Sequence, residues 1–189
     1  MVDIRKQIFA DPKSQMKQSW QWFDQNVRKP AVGMSTQKFL GDNQAHQSKK
    51  IMPGQMIAYG YDPKTKDTLP YYDTFPLCLP FSTDGKRFTA INLHYLAPRY
   101  RMILLDKLFN IKENSSLNDN KKINISWGII KGFSDLPQTK HCAKQYLFGN
   151  IKSNFIIVPP SDWKFVIHLP IERFKKATND MVWADTMRK

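Results

Sequence analysis

The acidic residues between positions 62 and 73 are the first candidates for chemistry in this sequence. Asp62, Asp67 and Asp73 lie two, three and nine residues from Lys64. A metal-dependent nuclease uses two or three carboxylates and a nearby lysine to hold a cation and activate water. The same residues fit a loop equally well, because aspartate and proline both favour turns and this stretch contains two prolines. We therefore expect a loop here and keep a nuclease as the weaker alternative.

The cysteines and histidines do not form a recognisable metal or nucleophile site. They are Cys78, Cys142, His46, His94, His141 and His168. A zinc site needs about four ligands in paired spacings, and the sequence has no Cys-x-x-Cys or His-x-x-x-His pair. We expect Cys78 to be a small buried hydrophobic residue and His94 to be a hydrogen-bonded core histidine.

Motifs for nucleotide binding and acyl transfer are also absent from the sequence. It contains no Gly-x-x-x-x-Gly-Lys-Ser/Thr loop, no Gly-x-Gly-x-x-Gly and no Gly-x-Ser-x-Gly. The sequence therefore argues against an enzyme. We predict no catalytic residues, no metal and no cofactor.

The net charge is the strongest signal of a partner. Lysine and arginine number 29 against 16 acidic residues, which gives +13 at pH 7. Residues 1–53 carry +5, residues 54–111 carry +2 and residues 112–189 carry +6. Such a charge attracts nucleic acid, an anionic membrane or an acidic protein surface. Because no apolar run reaches the roughly 18 residues that cross a bilayer, and the start lacks a signal-peptide core, we expect no membrane or secretory role.

Basic residues close to aromatic ones are the best candidates for contacts with DNA. Lysine and arginine neutralise phosphates without reading sequence, and a neighbouring aromatic ring can stack on an exposed base. The predicted DNA-binding residues are Lys86, Arg87, Arg99, Arg101, Arg173, Lys175 and Lys176. We expect them to form a stripe along one face of the protein. A basic surface with no dedicated partner is the alternative.

The first 53 residues predict a helix followed by an arm. Asp11 can cap the helix, and Trp20 and Phe23 belong to its apolar stripe. The helix should end at Lys29-Pro30, because proline disfavours helical geometry in the residue before it. Residues 30–53 show no clear period and are expected to form a loop or arm.

The central residues predict short strands at 54–62, 75–81 and 88–96. Asp84-Gly85 is a hairpin signal between the last two. The prolines of the second strand confine it to a sheet edge or to strand ends. The third strand is apolar on both faces and is therefore expected to be central.

The rest of the chain mixes helices and strands. The pattern predicts a helix from Pro98, a polar loop at 112–122, a strand at 123–130, a helix at 137–148, strands at 155–158 and 163–169, and a last helix at about 178–187. We expect Trp20, Phe23, Phe88, Leu93, Met102, Leu105, Phe155 and Trp163 to be buried.

Strands in runs, without strict alternation with helices, favour an α+β fold. We expect short antiparallel strands that suit a small, partly open barrel, flanked by three or four helices. The predicted organisation is an N-terminal helix and arm over residues 1–53, then a single α+β domain over residues 54–189 with a basic C-terminal segment.

Several stretches of the sequence resemble those of a known family. They are Tyr59-Gly-Tyr-Asp-Pro-Lys64, Leu69-Pro-Tyr-Tyr-Asp-Thr-Phe-Pro-Leu77 and Asn92-Leu-His-Tyr-Leu-Ala-Pro98, with Trp20-Gln-Trp-Phe23, Phe155 through Trp163 to Leu169-Pro170, Arg173-Phe174 and Trp183. In combination they resemble the DNA end protector family of T-even-like tailed phages. The resemblance extends over about residues 13–183.

The resemblance implies a virion protein of the DNA-filled head that binds the end of the packaged double-stranded genome near the head–tail connection. It would shield that end from host exonucleases. Implied partners are the DNA end and other virion proteins of the neck, tail or baseplate, with assembly in the host cytoplasm and no membrane.

The resemblance carries over no catalytic residues. It marks the signature positions Asp73, Asn92, His94, Tyr95 and Pro98, whose role can be purely structural. The alternative function is a structural component of the tail or baseplate, whose basic flanks dock on acidic neighbouring proteins without DNA contact.

Overall fold

The computed structural model describes residues 47–136, 139–159, 162–166 and 171–188. The predicted N-terminal helix, with Trp20 and Phe23, and most of the predicted arm lie outside these residues. Those predictions, and the predicted boundary at residue 53, therefore stay predictions.

Short strands make up the first half of the described chain and return after its long helices. The strands are β1 (Gln47–Ser48), β2 (Met56–Ala58), β3 (Tyr72–Asp73), β4 (Leu77–Thr83), β5 (Arg87–Asn92), β6 (Ala143–Leu147), β7 (Phe155–Val158) and β8 (Phe174–Lys175). The helices are α1 (Pro98–Glu113), α2 (Asp119–Ser134), α3 (Trp163–Val166) and α4 (Asn179–Arg188), with 3₁₀ turns at Leu93–Tyr95, Lys140–Cys142 and Phe148–Asn150.

The strands form two antiparallel sheets. The larger has six strands in the order β1-β7-β2-β4-β5-β6, and the smaller pairs β3 with β8. Its outer strands β1 and β6 do not pair with each other, so the larger sheet is open and is not a closed barrel. The predicted α+β class is confirmed, and the β2-β4-β5 meander is the one expected from residues 54–96.

Both faces of the larger sheet are buried. Because side chains alternate along a strand, Leu79 on β4 faces a helical core that includes Leu105 and Phe133, while Cys78 faces the opposite side. We call that opposite side the aromatic core, and its rings belong to Tyr59, Tyr61, Phe88, Tyr146 and Phe155. The double burial explains why β5 is apolar on both faces. Each fully buried leucine or phenylalanine stabilises the fold by about 1.5–3 kcal/mol relative to an exposed one.

The prediction of buried residues holds for five of the six residues that the structure describes. Phe88, Leu93, Met102, Leu105 and Phe155 are all buried. Trp163 is half-buried, and its indole N–H donates a hydrogen bond to the Val158 carbonyl at 2.9 Å. Cys78 is fully buried as expected.

The predicted hairpin between β4 and β5 is confirmed. Asp84 accepts the backbone N–H groups of Lys86 and Arg87 through Oδ1, at 3.0 and 2.9 Å. Gly85 has φ of +85°, the left-handed region that glycine enters without a steric penalty.

The prolines predicted a strand at a sheet edge or prolines at strand ends, and β4 is not an edge strand, because it lies between β2 and β5. Pro76 precedes the strand, but Pro80 lies inside it. Within β4, only Leu77 and Cys78 pair with β2, so Pro80 lies past the end of β2, and the Pro80 carbonyl accepts the Gly54 N–H at 2.9 Å. In an antiparallel strand, the nitrogen and the carbonyl of one residue point to the same side. Because the Pro80 carbonyl faces Gly54, the Pro80 nitrogen also points away from β5, and its missing N–H removes no hydrogen bond to β5.

The strand predicted at 123–130 is instead part of α2. Asn118 begins this helix by accepting the Lys121 N–H at 3.0 Å through its side-chain oxygen. Ile129, Ile130 and Phe133 are buried on the side of the helix that faces the sheet. Apolar residues alternate at the start of this segment, and the helical period emerges only when Phe133 is included.

The helix predicted at 137–148 is also wrong. A 3₁₀ turn at Lys140–Cys142 leads directly into β6, which pairs with β5 from Arg87 to Ile91. Conversely, α3 is a helix where a strand was predicted at 163–169. The arm prediction needs a smaller correction, because Gln47–Ser48 pairs with β7.

Candidate nucleic-acid interface

A buried polar network forms where β5 ends. Asn92, the last residue of β5, accepts the backbone N–H of His94 at 2.9 Å, which starts the 3₁₀ turn Leu93–Tyr95. The prediction that the strand continues to residue 96 is therefore wrong. The turn directs both Asn92 and His94, which are fully buried, toward Asp73 on β3.

Asp73 is the centre of this network. Its Oδ2 accepts hydrogen bonds from His94 Nδ1 at 2.7 Å and Asn92 Nδ2 at 3.1 Å, and its Oδ1 accepts the Phe75 N–H at 2.9 Å. Asn92 Nδ2 also donates to the Tyr146 hydroxyl at 2.9 Å. His94 is held through Nδ1, since its Nε2 has no partner among the described residues. The expectation of a hydrogen-bonded core histidine is confirmed.

The environment of Asp73 favours its charged form. Burial acts to raise the pKa of this carboxyl, but the attraction of His94 and the three hydrogen bonds outweigh burial, so that its pKa is lowered. Asp73 is only 3% exposed. We infer that it joins β3 to the end of β5 as a structural anion.

Arg101 is the predicted DNA-binding residue that the structure reassigns. It is 2% exposed, and its Nη1 lies 2.6 Å from Glu172 Oε1. Its Nε donates to the Leu96 carbonyl at 2.7 Å and its Nη2 to the His94 carbonyl at 3.2 Å. The guanidinium also lies over the Trp183 ring, 5.5 Å from its centroid. Arg101 therefore ties α1 to the 3₁₀ turn and to α4, and the prediction of a surface phosphate contact is wrong.

The predicted DNA-binding residues at the β4–β5 hairpin are exposed. Lys86 lies in the turn, and Arg87 starts β5. Arg87 Nε is 2.7 Å from Asp84 Oδ2, and its Nη1 donates to Gln145 Oε1 at 3.2 Å. The hairpin thus presents Lys86 outward and fixes the direction of Arg87.

The predicted DNA-binding residues of the C-terminal segment differ in the contacts that they make. Arg173 and Lys175 are exposed, with the Arg173 guanidinium 5.1 Å from the Phe75 ring centroid. Lys176 has φ of +68° and donates from Nζ to the carbonyls of Lys66, Asp67 and Leu69 at 2.8, 3.2 and 3.1 Å. These bonds use all three ammonium donors, so Lys176 holds the loop in place and is not available as a phosphate contact.

The exposed basic residues lie near opposite ends of β5. Lys86 and Arg87 are at its start, whereas β8 pairs with β3 beside Asn92 at its end. A strand of six residues spans roughly 17–20 Å. These residues therefore form no single compact patch. Arg99 lies in the first turn of α1, and its side chain is outside the described part of the structure.

A cleft adjoins both basic regions. It has a volume of about 340 Å³ and lies between β6 and the loop that leads from Tyr61 to β3. Its walls include Tyr61, Lys64, Tyr71, Tyr72, Asp73, Tyr95, Lys144, Gln145 and Tyr146. On one wall Gln145 accepts the hydrogen bond from Arg87, and on the other Tyr72 is the strand partner of Lys175.

Three of the cleft tyrosines are neutral, and two of these are held by hydrogen bonds. The Tyr61 hydroxyl accepts the Leu147 N–H at 3.2 Å, and the Tyr71 hydroxyl donates to Asp185 Oδ2 at 2.5 Å. Burial raises the pKa values of Tyr61, Tyr71 and Tyr95, so these hydroxyls stay protonated at neutral pH. Lys144 lies over the Tyr95 ring, 4.2 Å from its centroid.

Local sequence patterns do not predict this cleft. One wall was predicted as a loop and the other, β6, as part of a helix, so no pattern linked them. The one available signal is that the signature stretches contain Tyr61, Lys64, Tyr71 and Tyr72. In the described residues no cluster of three or more His, Cys, Asp or Glu side chains is arranged to hold a metal ion.

Comparison with protein families gives a match along nearly the whole chain. The family model described as phage T4 terminal DNA protecting protein matches residues 2–186. The chain belongs to this family. The resemblance inferred from the signature stretches is confirmed, and the family is one of phage virion proteins that protect DNA ends. Searches of curated proteins and of solved structures found no match.

The signature positions of the terminal DNA protecting protein family build two neighbouring features. Asp73, Asn92 and His94 form the buried network, and Pro98 lies in the first turn of α1. The stretches around Tyr61 and Tyr72 supply one wall of the cleft. None of the helices in the described part of the chain is long and apolar enough to cross a membrane.

Proposed function

We propose that this protein binds the free end of the packaged phage genome and shields it from exonucleases, as a virion component near the head–tail connection. The observation that carries the proposal is the family match across residues 2–186. The net charge of +13 supports it, because the partner would be a polyanion. In this proposal the protein acts by occupying the DNA end and not by catalysis.

The exposed basic residues supply the phosphate contacts in this proposal. Lys86, Arg173 and Lys175 are exposed, and Lys64 and Lys144 line the cleft between them. Contacts of this kind release counterions and carry no sequence information. A protein that must cover a genome end of any sequence needs affinity of this type.

Binding of the purified protein to a short blunt duplex should therefore fall steeply with salt. With about four or five phosphate contacts, the slope of log K against log salt concentration should be about −3.6 to −4.5. A fluorescence anisotropy titration over a salt series measures this slope. Arg173→Glu with Lys175→Glu should weaken binding to every DNA sequence alike.

The matched control reverses the same number of charges on α2, which contributes no residue to the cleft. Lys121→Glu with Lys131→Glu should cause a smaller loss of affinity, since both side chains are exposed there. If wild-type protein ignores DNA even at low salt, the proposal is wrong and the tail or baseplate role gains support. Shortening of the DNA by the protein alone with Mg²⁺ would instead support the nuclease.

A further inference from the structure

The cleft between β6 and the loop that leads from Tyr61 to β3 combines aromatic rings with cationic groups. This combination is typical of sites for single-stranded nucleic acid, where a base stacks on a ring and lysine or arginine contacts the phosphate. Three of its tyrosines are mainly core residues, since Tyr61, Tyr95 and Tyr146 are 8%, 6% and 4% exposed. The more exposed rings are those of Tyr71 and Tyr72, which are half-buried, and the Lys176 ammonium lies 5.9 Å from the centroid of the Tyr72 ring.

The charge of the cleft suits a phosphate. Lys64 is exposed on one wall, and Lys144 is half-buried on the other. The carboxylate in the wall, Asp73, is paired with His94 at 2.7 Å and is nearly inaccessible. An anion that enters therefore meets the two ammonium groups, with the Asp73 charge already engaged by its partners.

The walls of the cleft are held in place by contacts outside it. Lys176 fixes the loop through the carbonyls of Lys66, Asp67 and Leu69, and Lys66 Nζ is 3.0 Å from Asp62 Oδ1. On the other wall, β6 is paired with β5 along its length. A rigid cleft loses little conformational freedom when it binds.

The size of the cleft limits what can enter. A volume of about 340 Å³ is near the lower end of the roughly 300–1,000 Å³ found for ligand sites. It has room for one nucleotide and not for a duplex. Extruding a base from inside a duplex costs a few kcal/mol, and the cost is least where the base is already unpaired. Terminal base pairs have a stacking neighbour on one side alone, so they open more readily than internal ones.

We propose that this cleft receives the unpaired terminal nucleotide of a DNA end, with the base against Tyr72 and the phosphate between Lys64 and Lys144. This rests on the proposed function and adds to it a structural reason for preferring ends. The basic hairpin and the C-terminal segment on either side hold the adjoining duplex through phosphates. Selectivity for an end then needs no base-specific contact.

The test places 2-aminopurine either at the terminal position or at the centre of a short duplex that carries a dye at its other end. The fluorescence of 2-aminopurine changes when the base leaves its stacking neighbours, and the dye reports overall binding. Wild-type protein should change the terminal probe and leave the central one unaltered. Tyr72→Ala should weaken the terminal response about five-fold or more, whereas Tyr72→Phe should retain it because the ring remains.

A second variant avoids the packing role of Tyr72. Lys64 is exposed, so Lys64→Glu should leave the thermal stability unchanged and still weaken the terminal response, while Lys121→Glu should preserve it. If the dye reports binding but terminal and central probes respond alike, or if Tyr72→Ala and Lys64→Glu both keep the terminal response, the cleft assignment is wrong and the proposed function stands. If the dye reports no binding by wild-type protein, both are wrong.

Discussion

Replacing Arg101 by methionine is expected to lower the free energy of unfolding by about 3–5 kcal/mol. The substitution keeps an unbranched side chain but removes the guanidinium that pairs with Glu172, whose side chain is only 5% exposed. An unpaired charge in the interior is costly, because nothing replaces the lost solvation. The Leu96 and His94 carbonyls would also lose their donors. Urea denaturation followed by tryptophan fluorescence measures the change.

Two further variants distinguish the loss of the buried ion pair from a general disruption of packing. Arg101→Met with Glu172→Leu removes both charges, and it should recover a large part of the lost stability. Arg173→Met changes an exposed neighbour of Glu172 and should alter stability by less than about 0.5 kcal/mol. A loss below about 1 kcal/mol in the single variant would show that the buried pair does not hold the helices to the turn.

The second large effect is expected at Asp73. Asp73→Asn should lower the free energy of unfolding by about 2–3 kcal/mol at neutral pH, because hydrogen bonds to a charged group are lost. Asparagine cannot accept from both His94 and Asn92 with the strength of a carboxylate. The Phe75 N–H bond at 2.9 Å can survive, since the side-chain oxygen of asparagine is still an acceptor.

The difference in free energy of unfolding between wild type and Asp73→Asn should become smaller at acidic pH. The pKa of Asp73 is lower in the folded protein than the value of about 3.9 for an unfolded chain. Its stabilising contribution is therefore complete above the unfolded pKa and is lost as the pH falls through the folded pKa. Urea denaturation of wild type and variant between pH 5.5 and about 3 should show the two stabilities approaching each other. A difference that stays constant over this range would contradict the ionised state of Asp73.

Local sequence patterns were sufficient to predict the β4–β5 hairpin and the central strands. Asp84-Gly85 determines a turn within a few residues, and the alternation of β5 reports burial on both sides directly. The alternation in residues 123–130 predicts a strand, although these residues belong to α2. The signals of the helix are the Asn118 cap and the spacing to Phe133, and both residues lie outside this segment. Similarly, β6 forms because it completes the edge of β5, a long-range pairing that its own residues do not encode.

The candidate site was predictable only in part. Arg99 and Arg101 looked equivalent as neighbours of Tyr100, yet Arg101 shares a helical face with Leu105 and Leu108, four and seven residues later. That spacing could have indicated its burial, although Glu172 as its partner could not be inferred. The cleft remained hidden because its two walls are about eighty residues apart in the sequence.

Protection of linear DNA from a processive exonuclease tests the central claim most directly. The account predicts that the purified protein protects linear duplexes at a fixed number of molecules per end, whatever the length of the DNA. Arg101→Met with Glu172→Leu should protect as well as wild type, because neither residue lies on the proposed interface. No protection, or protection that requires protein in proportion to DNA length, would contradict binding to the end.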